Sequence, residues 1–297
     1  MIIGIPKEIK VHEYRVALTP HGAKILVEAG HQVIIQSDAG SAIGFSNQDY
    51  QDSGVSIVNS AQAIFDQADM VIKVKEPQPS ECRLLNKNQI LFTYLHLAAD
   101  PKQTELLLES GSTCIAYETI TDNNNRLPLL QPMSEIAGRM SIQSGAHHLE
   151  KTQGGSGVLL SGATGVNPAQ VLVLGGGVVG MNATKVALGM GAQVTILNRS
   201  LSKRLTDFQQ KYSSQLSVDL SNQTNIEHQL KSADLVIGAA LVAGASAPKL
   251  ITREMLKLMK KGSVLVDVSI DQGGCFETSK VTTHDQPTYV VDGIIHY

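Results

Sequence analysis

The chain has 297 residues, 42% of them hydrophobic and 17% charged, with a formal net charge of −3. That length accommodates two domains with separate cores, and the charge supplies no basic field to attract nucleic acid. The opening Met1-Ile2-Ile3-Gly4-Ile5-Pro6-Lys7-Glu8 lacks the basic start and apolar centre of a signal peptide, and no apolar run approaches the roughly 18 residues of a membrane span, so a soluble, cytoplasmic protein is expected.

In chain order, apolar runs alternate with amphipathic segments at Ile2–Ile5, Gly22–Ala29, Val33–Ile35, Ala61–Phe65 and Met70–Val74. This is the rhythm of βα units on a mainly parallel sheet. Strands are further expected at Ile90–Tyr94 and Thr113–Tyr117, before the polar cluster from Thr121 to Pro128 ends the first domain near residue 130. Residues 134–151 read as a helix joining the domains, with Ser134 as its N-cap. Strands at Val171–Leu174, Gln193–Leu197, Leu235–Gly238 and Ser263–Val268 then give residues 131–297 the same α/β pattern. The fold class is therefore α/β, with two doubly wound, mainly parallel-sheet domains. The cysteines Cys82, Cys114 and Cys275 are odd in number and far apart, which suits a reducing compartment, and the histidines lack zinc-ligand spacing, so no metal is expected.

Between the strand at Val171–Leu174 and a helix over Met181–Met190 lies Gly175-Gly176-Gly177-Val178-Val179-Gly180. A bare GxGxxG is weak, but a strand before it and a helix after it make it a Rossmann dinucleotide turn. Gly175 permits the tight turn, Gly177 lets the backbone approach a pyrophosphate, and Gly180 lets the helix pack on the sheet. The next strand should end in an acid that binds the adenosine ribose of NAD. Here it ends in Asn198-Arg199-Ser200, which removes the charge that repels a 2′-phosphate. NADP thus stands beside NAD as a possible cofactor, with Arg199 either its phosphate ligand or an ordinary surface arginine.

Three polar residues interrupt apolar runs at expected strand ends, where ligands bind in open α/β sheets: Lys75, His96 and Asp271. Each also has an ordinary reading, as a solvated lysine, a hydrogen-bonded histidine and a turn or N-cap aspartate.

The segments Gly4-Ile5-Pro6-Lys7-Glu8, Glu13-Tyr14-Arg15-Val16-Ala17, Lys73-Val74-Lys75-Glu76-Pro77, Phe92-Thr93-Tyr94-Leu95-His96-Leu97-Ala98, Pro132-Met133-Ser134-Glu135 and Asp271-Gln272-Gly273-Gly274-Cys275 resemble, in this order, the alanine dehydrogenase family. The resemblance implies a substrate domain paired with the Rossmann domain, and reversible oxidative deamination of L-alanine to pyruvate and ammonia by hydride transfer to a nicotinamide cofactor. It assigns Arg15 to the substrate carboxylate, Lys75 to the carboxylate or carbonyl oxygen, and His96 and Asp271 to acid/base work. Tyr94, Glu118 and Met133 match substrate-side positions. Ser134, Asn198, Lys203, Ser221 and Ile270 match nucleotide-side positions, with backbone contacts from Ala239-Ala240-Leu241-Val242. Family members form hexamers, so a homo-oligomer is implied.

The resemblance also implies chain beyond the position matching His296-Tyr297, so weak or absent activity is expected of a chain ending there. The rival readings are a nucleotide-binding subunit of proton-translocating transhydrogenase, a saccharopine-type dehydrogenase, and a non-catalytic dinucleotide-binding protein. His96 and Lys75 in their contexts favour the dehydrogenase, since transhydrogenation needs no amino-acid acid/base group.

Overall fold

The computed structural model describes residues 1–240 and 247–297; Leu241 and Val242, two of the expected nucleotide contacts, lie outside the described residues. The chain folds as two compact units, Met1–Leu130 and Gln131–Tyr297.

In the first unit β1 (Ile2–Ile5), β2 (Gln32–Gln36), β3 (Ser56–Val58), β4 (Met70–Ile72), β5 (Ile90–Thr93) and β6 (Thr113–Ala116) form one sheet in the order β3-β2-β1-β4-β5-β6. Every pair is parallel. The chain starts at the centre, winds outward to β3 and returns to β4 on the other side of β1, so the loops after β1 and β4 part at a topological switch point. Helices α1 (Pro20–Glu28), α2 (Asn47–Gln51), α3 (Ala61–Gln67), α4 (Pro79–Cys82) and α5 (Pro101–Ser110) make the crossovers. The local sequence sets their ends. In α5, Asp100 accepts the Gln103 amide at 3.0 Å, Pro101 needs no donor in the first turn, and Gly111 leaves the helix at φ 66°.

The second unit repeats the plan. Strands β7 (Gln170–Leu174), β8 (Gln193–Asn198), β9 (Leu216–Leu220), β10 (Leu235–Gly238), β11 (Val264–Asp267), β12 (Tyr289–Val291) and β13 (Ile294–His296) lie in the order β12-β13-β11-β10-β7-β8-β9. All pairs are parallel except the β12–β13 hairpin. Its two-residue turn, Asp292-Gly293, takes positive φ at both positions, as the twist of a tight hairpin requires. Helices α6 (Gln131–His148), α7 (Val178–Gly189), α8 (Lys203–Lys211) and α9 (Gln223–Leu230) complete the unit. Along β7, Val171 and Val173 enter one core cluster while Leu172 and Leu174 enter another, so the sheet is buried on both faces. Two doubly wound, mainly parallel α/β units are the expected fold class.

The helix expected over residues 134–151 runs instead from Gln131 to His148, wholly within the second unit. Ser134 lies inside its first turns rather than capping it, because Pro132 is accommodated where an amide donor is not needed. The short strands β3, β9, β12 and β13 were not among the expected ones. Among the described residues no helix is long and apolar enough to cross a membrane.

Candidate active site

In the first unit Arg15 follows β1, Lys75 follows β4, Tyr94 and His96 follow β5, and Glu118 follows β6. All five therefore lie on loops at the carboxyl edge of one sheet. Glu13 organises the cations. Its carboxylate receives Arg15 Nε at 2.7 Å, Arg15 Nη2 at 2.6 Å and the Arg15 amide at 3.0 Å, and it also feels the Lys75 charge. Burial alone would raise the Glu13 carboxyl, but the hydrogen bonds and charge of Arg15 outweigh it and hold the group below the ordinary carboxylate range. Tyr94 stacks on His96, with ring centroids 6.1 Å apart and planes 11° apart, and its hydroxyl donates to Leu129 O at 2.6 Å.

Two further carboxylates hold the backbone of these loops. Glu118 accepts the Leu95 amide at 3.1 Å and the His96 amide at 2.7 Å, stabilising His96 at φ 50° and ψ 40°, a left-handed conformation costly for a side chain of this type. The carboxylate expected beside the substrate is thus engaged with the chain that presents His96. Glu8 accepts the amides of Val74 at 2.7 Å and Lys75 at 3.4 Å, while its other oxygen meets Lys73 Nζ at 3.0 Å. Lys73 is wholly buried and also donates to Glu81 at 2.8 Å. Burial pushes the Glu8 carboxyl above its ordinary value, against the pull of the Lys73 ammonium. Thr93 Oγ1 donates to the Lys75 carbonyl at 2.9 Å, so the Lys75 residue is fixed at both its N–H and its C=O.

In the second unit the glycine turn joins β7 to α7. Gly175 stands at φ 113°, and a Cβ there would lie 2.6 Å from Ala239 O; a Cβ at Gly180 would lie 1.8 Å from Gly175 O. A Cβ at Gly177 would meet nothing within 4 Å. Two of the glycines thus serve the protein's own packing, whereas Gly177 keeps a space open. Gly177 is also the N-cap of α7 and provides no side-chain cap, so the first-turn amides at Val178 and Val179 suit an anion. The cradle fits a dinucleotide pyrophosphate.

Asn198 closes this turn. Its Oδ1 accepts the Gly176 amide at 2.9 Å and its Nδ2 donates to Ser200 O at 2.9 Å. The Ser221 amide reaches Asn198 O at 2.8 Å, which joins the ends of β8 and β9. Arg199 is exposed, and Lys203 is turned to Asp207 at 2.7 Å. The Ala240 carbonyl accepts Ser269 Oγ at 2.9 Å, linking it to the turn that carries Ile270 and the exposed Asp271. Met133 and Ser134 lie about one turn before Gly138, where a Cβ would stand 2.3 Å from Val179 O and α6 therefore crosses closely over the start of α7.

Glu8, Glu13 and Lys73 were missed by reasoning from sequence. Only Lys73 carries a signal: a lysine flanked by Val71, Ile72 and Val74 in a buried-type strand demands a partner.

The family model described as Alanine dehydrogenase/PNT, N-terminal domain, matches residues 4–137, and the one described as Alanine dehydrogenase/PNT, C-terminal domain, matches residues 141–297. The chain belongs to the alanine dehydrogenase/PNT family. Among its relatives, the alanine dehydrogenase of Halomonas elongata is 57% identical over 297 residues, which cover 100% of this chain and 80% of that one. A solved L-alanine dehydrogenase matches with a TM-score of 0.92 at 51% identity, over 100% of this chain and 82% of its own. The transhydrogenase of Sinorhizobium meliloti matches less well, with a TM-score of 0.81 at 25% identity, over 100% of this chain and 85% of its own.

Proposed function

We propose that the chain is an alanine dehydrogenase, catalysing the reversible oxidative deamination of L-alanine to pyruvate and ammonia. The observation that carries this reading is the convergence of Arg15, Lys75, Tyr94 and His96 on one sheet edge, in a chain 57% identical to an alanine dehydrogenase. Transhydrogenation needs no amino-acid acid/base group, so His96 and Lys75 in their contexts favour the dehydrogenase.

Each residue's role follows from its chemistry. The Arg15 guanidinium, oriented by Glu13 along Nε and Nη2, holds the substrate carboxylate, a task suited to its planar fork. Lys75 holds the carboxylate or carbonyl oxygen and stabilises negative charge developing there. His96 moves protons to and from the water that adds at the imine carbon before ammonia departs. Met133 belongs to the substrate side, and Asp271 orients ammonia or water, or assists proton transfer. A nicotinamide cofactor bound there would supply the hydride acceptor that oxidation of the substrate α-carbon requires. The glycine turn, with Val178, Val179, Asn198, Ser221, Ala240, Ile270 and Ser134, holds the dinucleotide. L-Alanine plus NAD should yield reduced nicotinamide and pyruvate in equal amounts. Hydride exchange between nucleotides without alanine, or nucleotide binding without reduction, overturns the reading.

The cofactor is NAD, with NADP accepted beside it. The Asn198 carboxamide carries no charge and is consumed in closing the turn, so nothing at that position repels a 2′-phosphate, and exposed Arg199 is free to attract one. An Asn198→Asp change should raise the NADP-to-NAD ratio of KM by about tenfold, equal to about 1.4 kcal/mol, in steady-state kinetics. An unchanged ratio removes Asn198 from specificity. The family likeness also supports a cytoplasmic homohexamer, which sedimentation equilibrium and cell fractionation test.

A further inference from the structure

Asp267 ends β11, and its carboxylate is buried beside Gly238 at the end of β10. None of the roles above uses it. Its Oδ1 accepts the Ser269 amide at 3.1 Å, and its Oδ2 accepts the Cys275 amide at 2.7 Å together with the Ser279 hydroxyl. Ser269 and Cys275 bracket the short segment that carries Ile270 and Asp271. One carboxylate therefore ties both ends of that segment at its base.

The rest of the segment is built around this tie. After the turn Ile270–Gln272 the chain passes through Gly273 and Gly274 at φ 87° and 80°, and the Gly274 amide returns to Ser269 O at 3.0 Å. A Cβ at Gly274 would stand 2.6 Å from Asp267 Oδ2, so the chain packs directly on the carboxylate. From the outer side Lys249 Nζ donates to the carbonyls of Gly273 and Phe276. Burial pushes the Asp267 carboxyl above the ordinary carboxylate range, against the hydrogen bonds of Ser279, Cys275, Ser269 and Phe276. A buried acid is costly, and what it offers here that an amide does not is acceptance at both oxygens.

We propose that Asp267 is a positioning residue that clips the 269–275 segment and so fixes where Asp271 stands. The proposal rests on the reading of Asp271 as a group acting in the reaction. Asp267→Asn isolates the clip. Whichever way the amide turns, its NH2 faces the Cys275 N–H or the Ser269 N–H, and one end of the segment loses its acceptor.

The test compares Asp267→Asn, Asp271→Asn and the double variant in the full chain. Asp267→Asn should lower kcat by about tenfold to a hundredfold, the scale of a misplacement near 1 Å, with KM for L-alanine within about threefold of its original value. In the Asp271→Asn background the same change should cost nothing further, because it acts only through Asp271. Amide exchange in residues 268–276, followed by mass spectrometry, should rise about tenfold in Asp267→Asn while α7 stays protected. Should Asp267→Asn not fold, Ser279→Ala removes one donor to the same oxygen, and a drop of about threefold that vanishes in the Asp271→Asn background is expected. Additive losses in the double variant, or an unchanged kcat in Asp267→Asn, overturn the proposal. An unchanged kcat in Asp271→Asn overturns the reading of Asp271, whereas unchanged exchange in 268–276 overturns the clip itself.

Discussion

The two units share a strand order about their central strands and use the carboxyl edge of their sheets differently. In the first, the edge is a set of side chains, and each is held by another side chain: Arg15 by Glu13, the Lys75 backbone by Glu8, the His96 backbone by Glu118. In the second, the firmest part of the edge is bare backbone at Gly175–Gly180. A site made of backbone is rigid because sterics leave few alternatives. A site made of side chains is rigid only if a second layer of partners fixes it, and here that layer is acidic and partly buried.

The largest test of this difference is Lys73→Met in the first unit. It leaves Glu8 and Glu81 buried without their counter-ion, so urea unfolding should show a loss of about 3–5 kcal/mol. Adding Glu8→Gln and Glu81→Gln should recover most of that. Failure to recover would mean that Lys73 acts through packing rather than charge.

In the second unit, the glycines should separate fold from binding. Gly180→Ala drives a Cβ into the Gly175 carbonyl and should cost about 1–3 kcal/mol as well as dinucleotide binding. Gly177→Ala meets no protein atom, so stability should stay within about 0.5 kcal/mol while dinucleotide affinity falls on the order of tenfold. Equal losses of stability in the two variants would contradict the division of labour.

The smallest effect is a difference in pH response. Burial lowers His148 and His296 in the second unit below the ordinary histidine value of about 6.5. The unfolded chain then binds protons more readily, so their contribution is present above pH 6.5 and is lost as pH falls through the folded values. Glu8 in the first unit has the opposite sign: its raised carboxyl contributes most below about 4.5 and loses that contribution as pH rises. Between pH 7.5 and 5.5 the second unit should therefore lose protection from amide exchange, and His296→Gln should flatten that slope.

What the sequence disclosed follows the same division. The glycine turn was legible because local sterics dictate its residues in a row, and the parallel sheets were legible because doubly buried strands read as apolar runs. Lys75, His96 and Asp271 stood out as polar residues ending such runs. Their supports did not, because Glu8 and Val74, or Glu118 and His96, meet only after the sheet is assembled, at separations of 66 and 22 residues. Other signals were present and unread. Leu216-Ser217-Val218-Asp219-Leu220 alternates as an edge strand should, and Asp292-Gly293 between Val291 and Ile294 marks a hairpin. The start of α6 was missed because the capping potential of Ser134 outweighed Pro132, the residue that fits a first helical turn.

The Asn198 carboxamide bears on how this enzyme could change over evolutionary time. Because it braces Gly176 and, on the proposed reading, also borders the cofactor ribose, a mutation there should alter turn integrity and nucleotide preference together, and few replacements should satisfy both demands. Arg199 carries no such double duty. Drift in cofactor choice within this lineage should therefore accumulate at the exposed neighbours of Asn198, leaving the brace itself in place.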